Sequence, residues 1–530
     1  MGSAEDESIC HFCLLRCSSS GALLITTMKQ IGFRHFLVLL VFLGLVITYM
    51  LRVNLSVAIL AMVNNTALAE IEKQSEPNQT WSNQSYGLET CVADSAPGSK
   101  PARDGQFVWD PKTRGVILGA FFYGYIVTEL PGGWLSYKYG GKWIFGLGML
   151  WTSIFTLLTP LTVHLDLPLL IVIRVLEGLG EGVAFPCVHG IFAQWVPPAE
   201  RTRMPAFTFA GIGIGTVIAF PFSAALCNSV IGWPLVFYVF GAIGVAWFIV
   251  WAIFGSSTPA TSGWISDRER KFIQKSLAET VVEDEMPSCA SVPWCDIAKT
   301  PAAWSLMISH MSFTWGLYTL ITLLPTYFKD VLHMNMAKNG IYSALPYICF
   351  TVVSLVIGPV SDHLIARRIV SVGVARKIMD GIGHTLPGVF LLLSTTIGCN
   401  MTAAVVLMCL AVGSEGFVGA GSFANNLDLS GRFAGVTFGI YNTLGSVCGV
   451  VAPLVAGVIT QKDNTLTGWR AVFGIAAGFY WTAALAFIIF GKGEPAKWAR
   501  IESDRDSEKD QPDSIERSQN GATVHPMNQF

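Results

Sequence analysis

Twelve apolar runs divide the sequence, most of them near the length of about 20 helical residues that crosses bilayer hydrocarbon. They fall at about 36–63, 115–136, 143–162, 167–195, 206–226 and 235–254, then 304–327, 340–361, 379–398, 402–424, 433–459 and 469–490. A polar stretch, 255–303, separates the two groups of six, and within it Ser266-Asp267-Arg268-Glu269 has a capping-box pattern that predicts a surface helix. Residues 64–110 form a long polar loop between the first two runs. Residues 1–35 are a mixed tail without a signal-peptide cleavage pattern, and the run that follows is too long for a signal h-region. Residues 491–530 turn polar and charged and are expected to be disordered. The pattern predicts an all-α membrane protein with twelve transmembrane helices in two six-helix halves, 36–254 and 304–490.

The fourth run is apolar except on one stripe. Arg174, Glu177 and Glu181 stand inside it at spacings that bring all three to one helical face. An intramembrane charge costs on the order of 3 kcal/mol by insertion scales, so this face must look into protein or a water-filled cavity. Gly178 and Gly182 make a small-xxx-small pair for close helix contact, and Pro186 is expected to bend the run. A cation beside two acids suits a proton-coupled anion pathway; a buried structural ion pair is the plainer alternative. Arg52 lies near the middle of the first run, away from the helix ends where long basic side chains snorkel. Its guanidinium stays charged and its fork matches a carboxylate or phosphate. Arg52 is therefore read as an anion-binding residue, with Arg174 a second cation unless Glu177 or Glu181 neutralises it.

Glu181 is the expected proton carrier and Glu177 its partner. Glu129 is a third acid, with a gating or packing contact as the alternative. His189 titrates in the range of a pH sensor, although near a helix end a plain polar contact is the simpler reading.

Composition narrows the class. The chain has 530 residues, 52% hydrophobic and 13% charged, against about a quarter charged in soluble domains. A net charge of −2 gives no case for nucleic acid. No nucleophile–base arrangement or metal-ligand cluster is apparent, so an enzyme is not expected, nor a cofactor or metal. Cys10, Cys13 and Cys17 sit in the N-terminal tail and read as reduced thiols. Cys91, Cys227 and Cys399 fall in loops on the other side, where one disulfide among them is conceivable.

Two signals fix the orientation. With the N-terminus in the cytosol, the short inner loops carry nine Lys and Arg residues and the short outer loops three. The same orientation places the sequons at Asn64, Asn78 and Asn83, and a fourth at Asn400, on the non-cytosolic face, where they are glycosylation acceptors.

The two halves also repeat. Gly358-Pro359-Val360-Ser361-Asp362 followed by Arg367-Arg368 corresponds to Gly133-Trp134-Leu135-Ser136-Tyr137 followed by Lys138 and Lys142. Both resemble the cytosolic loop of the major facilitator superfamily, the first copy with Tyr137 in place of the acid. Further stretches resemble the anion/cation symporter family within it, the family of sialin, the vesicular glutamate transporters and the type I sodium/phosphate cotransporters. These are Tyr49-Met50-Leu51-Arg52-Val53-Asn54-Leu55-Ser56, Gly119-Ala120-Phe121-Phe122-Tyr123-Gly124-Tyr125 with Glu129-Leu130-Pro131-Gly132-Gly133, the fourth run from Arg174 to His189, Leu324-Pro325-Thr326-Tyr327 and Asn426-Leu427-Asp428. Leu118 and Phe313 stand where the glutamate carriers have a histidine and an arginine, so the likeness is to the sialin branch.

That resemblance implies a secondary active transporter working by alternating access, without a cofactor. The coupling ion would be H+, alternatively Na+. The substrate would be a small organic anion such as sialic acid; sodium-dependent phosphate cotransport is the alternative. It implies that Tyr49, Tyr123 and Tyr318 line the substrate site with Arg52 and Arg174, that Asn442 bridges helices or touches substrate, and that Asp362 and Arg367 belong to a cytosolic gate. A monomer in a lysosomal or vesicular membrane is expected, with the plasma membrane as rival because Leu14-Leu15 has Cys10, not an acid, four places upstream. Replacing Asn64, Asn78 and Asn83 together with Gln should make the protein migrate faster, and an endoglycosidase should erase most of the difference from wild type. Equal migration before treatment would contradict the orientation.

Overall fold

A computed structural model describes residues 32–64, 66–68, 70–71, 104–197, 200, 203–278 and 292–499. Every apolar run folds as helix. The first half contains Phe33–Met62, Pro111–Tyr139, Gly141–Leu165, a fourth span in two pieces (Leu167–Glu181 and Ala184–Trp195), Arg203–Cys227 and Pro234–Phe254. The second contains Pro301–Asp330, Met336–Ala366, Val372–Ser394, a tenth span in two pieces (Met401–Glu415 and Ser422–Ser430), Ala434–Lys462 and Leu466–Phe490. Among the described residues eight helices are long and apolar enough to cross a membrane. The other four spans are the second, fourth, seventh and ninth, and these are broken or polar within.

Local chemistry explains the ends and the breaks. Asp110 accepts from Thr113 N at 2.8 Å and Pro111 occupies the first turn, a standard helix start. The fourth span breaks at Gly182-Val183, just ahead of Pro186, which lacks the N–H that would continue the ladder. The tenth loosens into a 3-10 turn at Gly416–Gly419. The ninth helix begins at Val372, earlier than hydropathy predicts, because Arg376 and Asp380 lie inside it. Arg376 is held there by Asp428 at 2.8 Å and by the carbonyl of Ala420 at 3.0 Å.

The halves meet through three helix pairs: second with eleventh, fifth with eighth, first with seventh. Exchanging the halves maps the first two pairs onto each other, as an internal two-fold requires. The stretch after the sixth span carries the expected surface helix, Asp267–Ala278. Its Glu269 accepts from the backbone N–H groups of Phe33 and Arg34 at 2.8 and 3.1 Å, which satisfies the otherwise open start of the first span.

The expectation for the end of the chain changes in part. Residues 491–499 are packed, not disordered: Trp498 is buried against Phe433 and donates to Thr300 Oγ1 at 3.0 Å, so its indole anchors the chain after the last span. The remaining tail, 500–530, lies outside the described residues, as do Asn78, Asn83 and Cys91. Asn64 lies two residues beyond the first span and donates its backbone N–H to Phe107 O at 2.8 Å, and Asn400 caps the tenth by accepting from Ala403 N at 3.1 Å. Cys399 beside it is disulfide-bonded, whereas Cys227 is a free thiol. Disulfides persist in oxidising compartments, which agrees with the sequon end being non-cytosolic.

Bonds between the halves crowd toward that sequon end. Arg114 pairs with Asp330 at 3.0 Å, Gln461 donates to Asp110 at 2.8 Å, and Lys329 donates to the carbonyl of Leu60. A methyl on Gly115 would lie 2.4 Å from Pro453 O, so the second and eleventh spans touch backbone to backbone. At the other end Asp362 and Arg367 are exposed, and neither side chain pairs with a described residue. The bundle is sealed on one side. Arg114→Gln should loosen the seal, so that a cysteine placed at Thr322 reacts faster with an impermeant thiol reagent added from the sequon side. Unchanged labelling would contradict this latch.

Candidate functional site

Four charges occupy the core of the first half. Arg52 of the first span lies 2.6 Å, Nε to Oε1, from Glu181 of the fourth. Arg174 pairs with Glu177 one turn along its own helix, and Thr159 of the third span donates to Glu177 at 2.9 Å. All four residues are buried, at 1–7% exposure. A buried pair survives in such surroundings only if its remaining polar atoms are met, and breaking one typically costs about 3–5 kcal/mol. Aromatic rings supply part of that support. The Arg52 guanidinium lies 4.7 Å from the ring centroids of Tyr49 and Tyr125 and 5.3 Å from Phe121; Arg174 lies 5.4 Å from Phe121.

Both arginines line one internal pocket between the halves, with Ser56 and Thr322 as its hydroxyls and Leu118, Phe121, Phe122 and Ile321 among its apolar walls. The pocket is narrow, with room for about one water. Arg174 Nε, on a residue that lines the pocket, and Oε2 of Glu181, the partner of Arg52, have no hydrogen-bond partner among the described residues. An anion that displaced Glu181 would find guanidinium donors already turned inward.

Glycines set the spacing. A methyl on Gly178 would fall 1.9 Å from Phe121 O, one on Gly182 2.4 Å from Tyr125 O, and one on Gly124 1.9 Å from Val175 O. The second and fourth spans therefore pack backbone on backbone, which brings the ring stripe Phe121–Tyr125 up to both arginines.

Several of the expected residues lie close to Arg52. Tyr49 Oη accepts no more than a long contact from Arg52 Nη1, at 3.4 Å, but its ring faces the guanidinium. Tyr318 is buried on the seventh span and packs on Phe122 at 4.4 Å. Others do not assemble there. Tyr123 is half-exposed on the outer side of the second span with Val127 and Trp134. Two residues along a helix turn through about 200°, so Tyr125, and not Tyr123, looks inward. His189 is exposed, its Nδ1 2.9 Å from Phe185 O and its ring opposite Phe209 and Phe438, away from the charged cluster. Glu129 accepts from Asn442 and from Ser446, the latter at 3.0 Å, both on the eleventh span; Asn442 Oδ1 in turn meets His310 Nε2 at 3.2 Å. Glu129 and Asn442 thus join the halves, which is the contact alternative for Glu129. Tyr125, Thr159 and His310 were not singled out from sequence. Only the helical register of Phe121, Tyr125 and Glu129 could have pointed to Tyr125.

Comparison with known proteins agrees with this architecture. The Major Facilitator Superfamily profile matches residues 41–453. The chain belongs to the Major Facilitator Superfamily. Human sialin is 39% identical over 474 residues, covering 88% of this chain and 90% of sialin. Vesicular glutamate transporter 3 of Danio rerio is 34% identical over 475 residues, covering 89% of this chain and 75% of that protein. Among solved structures, the inward-open xylose transporter XylE from E. coli has a TM-score of 0.62 at 12% identity, covering 89% of this chain and 99% of that one; that likeness concerns the fold. This superfamily member is a multi-pass membrane transporter of the sialin kind, and not an enzyme.

The packing yields a direct test of the site's scaffold. Gly178→Ala should force the second and fourth spans apart and destabilise the protein by about 1–3 kcal/mol, the usual range for overpacking. Thermal unfolding in detergent measures it, and a wild-type midpoint would contradict the packing.

Proposed function

We propose that the protein is a proton-coupled symporter of organic anions, taking carboxylates of the sialic-acid class, by alternating access. One observation carries this reading: the two arginines and two glutamates at the pocket balance. A carboxylate entering on Arg52 leaves one negative charge uncompensated in a low-dielectric core, at a cost of several kcal/mol. Protonating Glu181 restores neutrality and frees the Arg52 fork for the substrate. Anion and proton then bind together or not at all, which is what coupling requires. Glu177, held by Arg174 and Thr159, keeps the second cation in place. Tyr49, Tyr125 and Tyr318 offer ring faces and hydroxyls to a sugar acid. Glu129 with Asn442, and Asp362 with Arg367, act as contacts that the halves make and break, and His189 lies on the route to the open side. A lysosomal or vesicular membrane is the proposed location, where a proton gradient drives export.

Sodium-driven phosphate transport is the second reading, since Na+ balances an anion as H+ does. The apolar walls at Leu118, Phe121 and Ile321 weigh against it, because inorganic phosphate has no apolar surface to place there.

Uptake of labelled sialic acid into proteoliposomes under an imposed pH gradient, with and without sodium, separates the two. Gradient-driven uptake without sodium is expected. Sodium dependence without pH dependence favours phosphate, and no gradient-driven uptake of any anion contradicts both. Arg52→Ala should lower uptake on the order of tenfold or more, since hydrogen bonds to charged groups contribute about 1.5–3 kcal/mol. Normal transport by that variant would remove Arg52 from the site.

A further inference from the structure

The second half holds a buried acid that the mechanism above does not use. The first helix of the tenth span, Met401–Glu415, and that of the fourth, Leu167–Glu181, each have 15 residues. Each ends on a glutamate followed by glycine, at a break in its span. Glu415 is 1% exposed and Glu181 3%. Their partners differ. Glu181 meets Arg52. Glu415 accepts from the hydroxyl of Tyr480 on the twelfth span, and its Oε2 has no partner among the described residues.

Among the described residues the cation that acts on it, His384, is already shared with Asp380. The titratable groups that interact with Glu415 are Tyr480, Tyr347 of the eighth span and His384 of the ninth. His384 is already matched by Asp380. Its Nδ1 lies 3.3 Å from Asp380 Oδ2 and 3.0 Å from the Asp380 carbonyl, and its Nε2 lies 3.2 Å from the Ser309 carbonyl. Asp380 is itself held by Ser309 Oγ at 2.9 Å and by Ser422 N at 3.2 Å. Both ring nitrogens face carbonyl oxygens and so act as the two N–H donors of an imidazolium, which with the Asp380 carboxylate makes a pair of no net charge. A lone carboxylate here would be a buried, unpaired charge, so the neutral acid is the form that the surroundings accommodate. The 3-10 turn Gly416–Gly419 follows directly, and Gly419 borders open space. Short 3-10 stretches inside helices often mark hinges, so a small rearrangement here would bring Glu415 to water.

We propose that Glu415 is a second proton-binding site, so that two protons cross with each anion. The inference rests on the proton-coupled reading above and extends it. With one proton per monovalent anion the cycle is electroneutral. With two, one net positive charge moves inward with the substrate.

The test uses the full chain in proteoliposomes under a fixed pH gradient, with a potassium–valinomycin potential imposed. An inside-negative potential should stimulate wild-type sialic acid uptake, and Glu415→Gln should abolish that stimulation while Gln still accepts from Tyr480. Wild-type uptake that follows the pH gradient but ignores the potential overturns this proposal and leaves the Glu181 reading intact. Wild-type uptake that ignores both defeats both readings. Stimulation that persists in Glu415→Gln also overturns the assignment. Should that variant fail to fold, Tyr480→Phe, which keeps the acid, must retain the potential stimulation; its loss there counts against Glu415 as the carrier.

Discussion

The pairing of Arg52 with Glu181 ties the first span to the fourth in the middle of an apolar bundle. A guanidinium cannot shed its charge, so a carboxylate must face it or another anion must take that place. Everything near it serves that constraint. Tyr49, Tyr125 and Phe121 surround the cation with ring faces, and Gly124, Gly178 and Gly182 let the backbones come close enough for those rings to reach. Arg174 and Glu177 repeat the arrangement on one helix, with Thr159 meeting the acid from the third span.

In the proposed cycle that local balance would reach the rest of the bundle through the contacts between the halves. The seal of Arg114, Asp330, Gln461 and Asp110 closes the sequon end. Glu129 with Asn442 and Ser446 adds buried bonds between the halves. In the proposed cycle a change of charge at Arg52 would act on these contacts.

Much of this was legible in the sequence. The period and length of the apolar runs placed every span, and the three-and-four spacing of Arg174, Glu177 and Glu181 put them on one buried side, because charge in hydrocarbon has no other place to go. Small-xxx-small spacing at Gly178 and Gly182 foretold a close approach. What failed to show was direction and partnership. A motif rich in aromatics does not say which ring turns inward: Tyr123 is the residue the resemblance points to, and Tyr125 is the one that faces Arg52. Sequence distance hid that Glu181 belongs to Arg52, 129 residues away, rather than to Arg174. Hydropathy also hid the start of the ninth helix, whose polar residues meet partners on other spans, and a single Trp498 overturned the expectation of disorder at 491–499.

The most direct test of the central claim is a structure with sialic acid bound. The carboxylate should sit on the Arg52 guanidinium, with Glu181 moved off it and the pocket widened between Phe121 and Ile321. An anion bound elsewhere, with Arg52 and Glu181 still joined, would contradict the account.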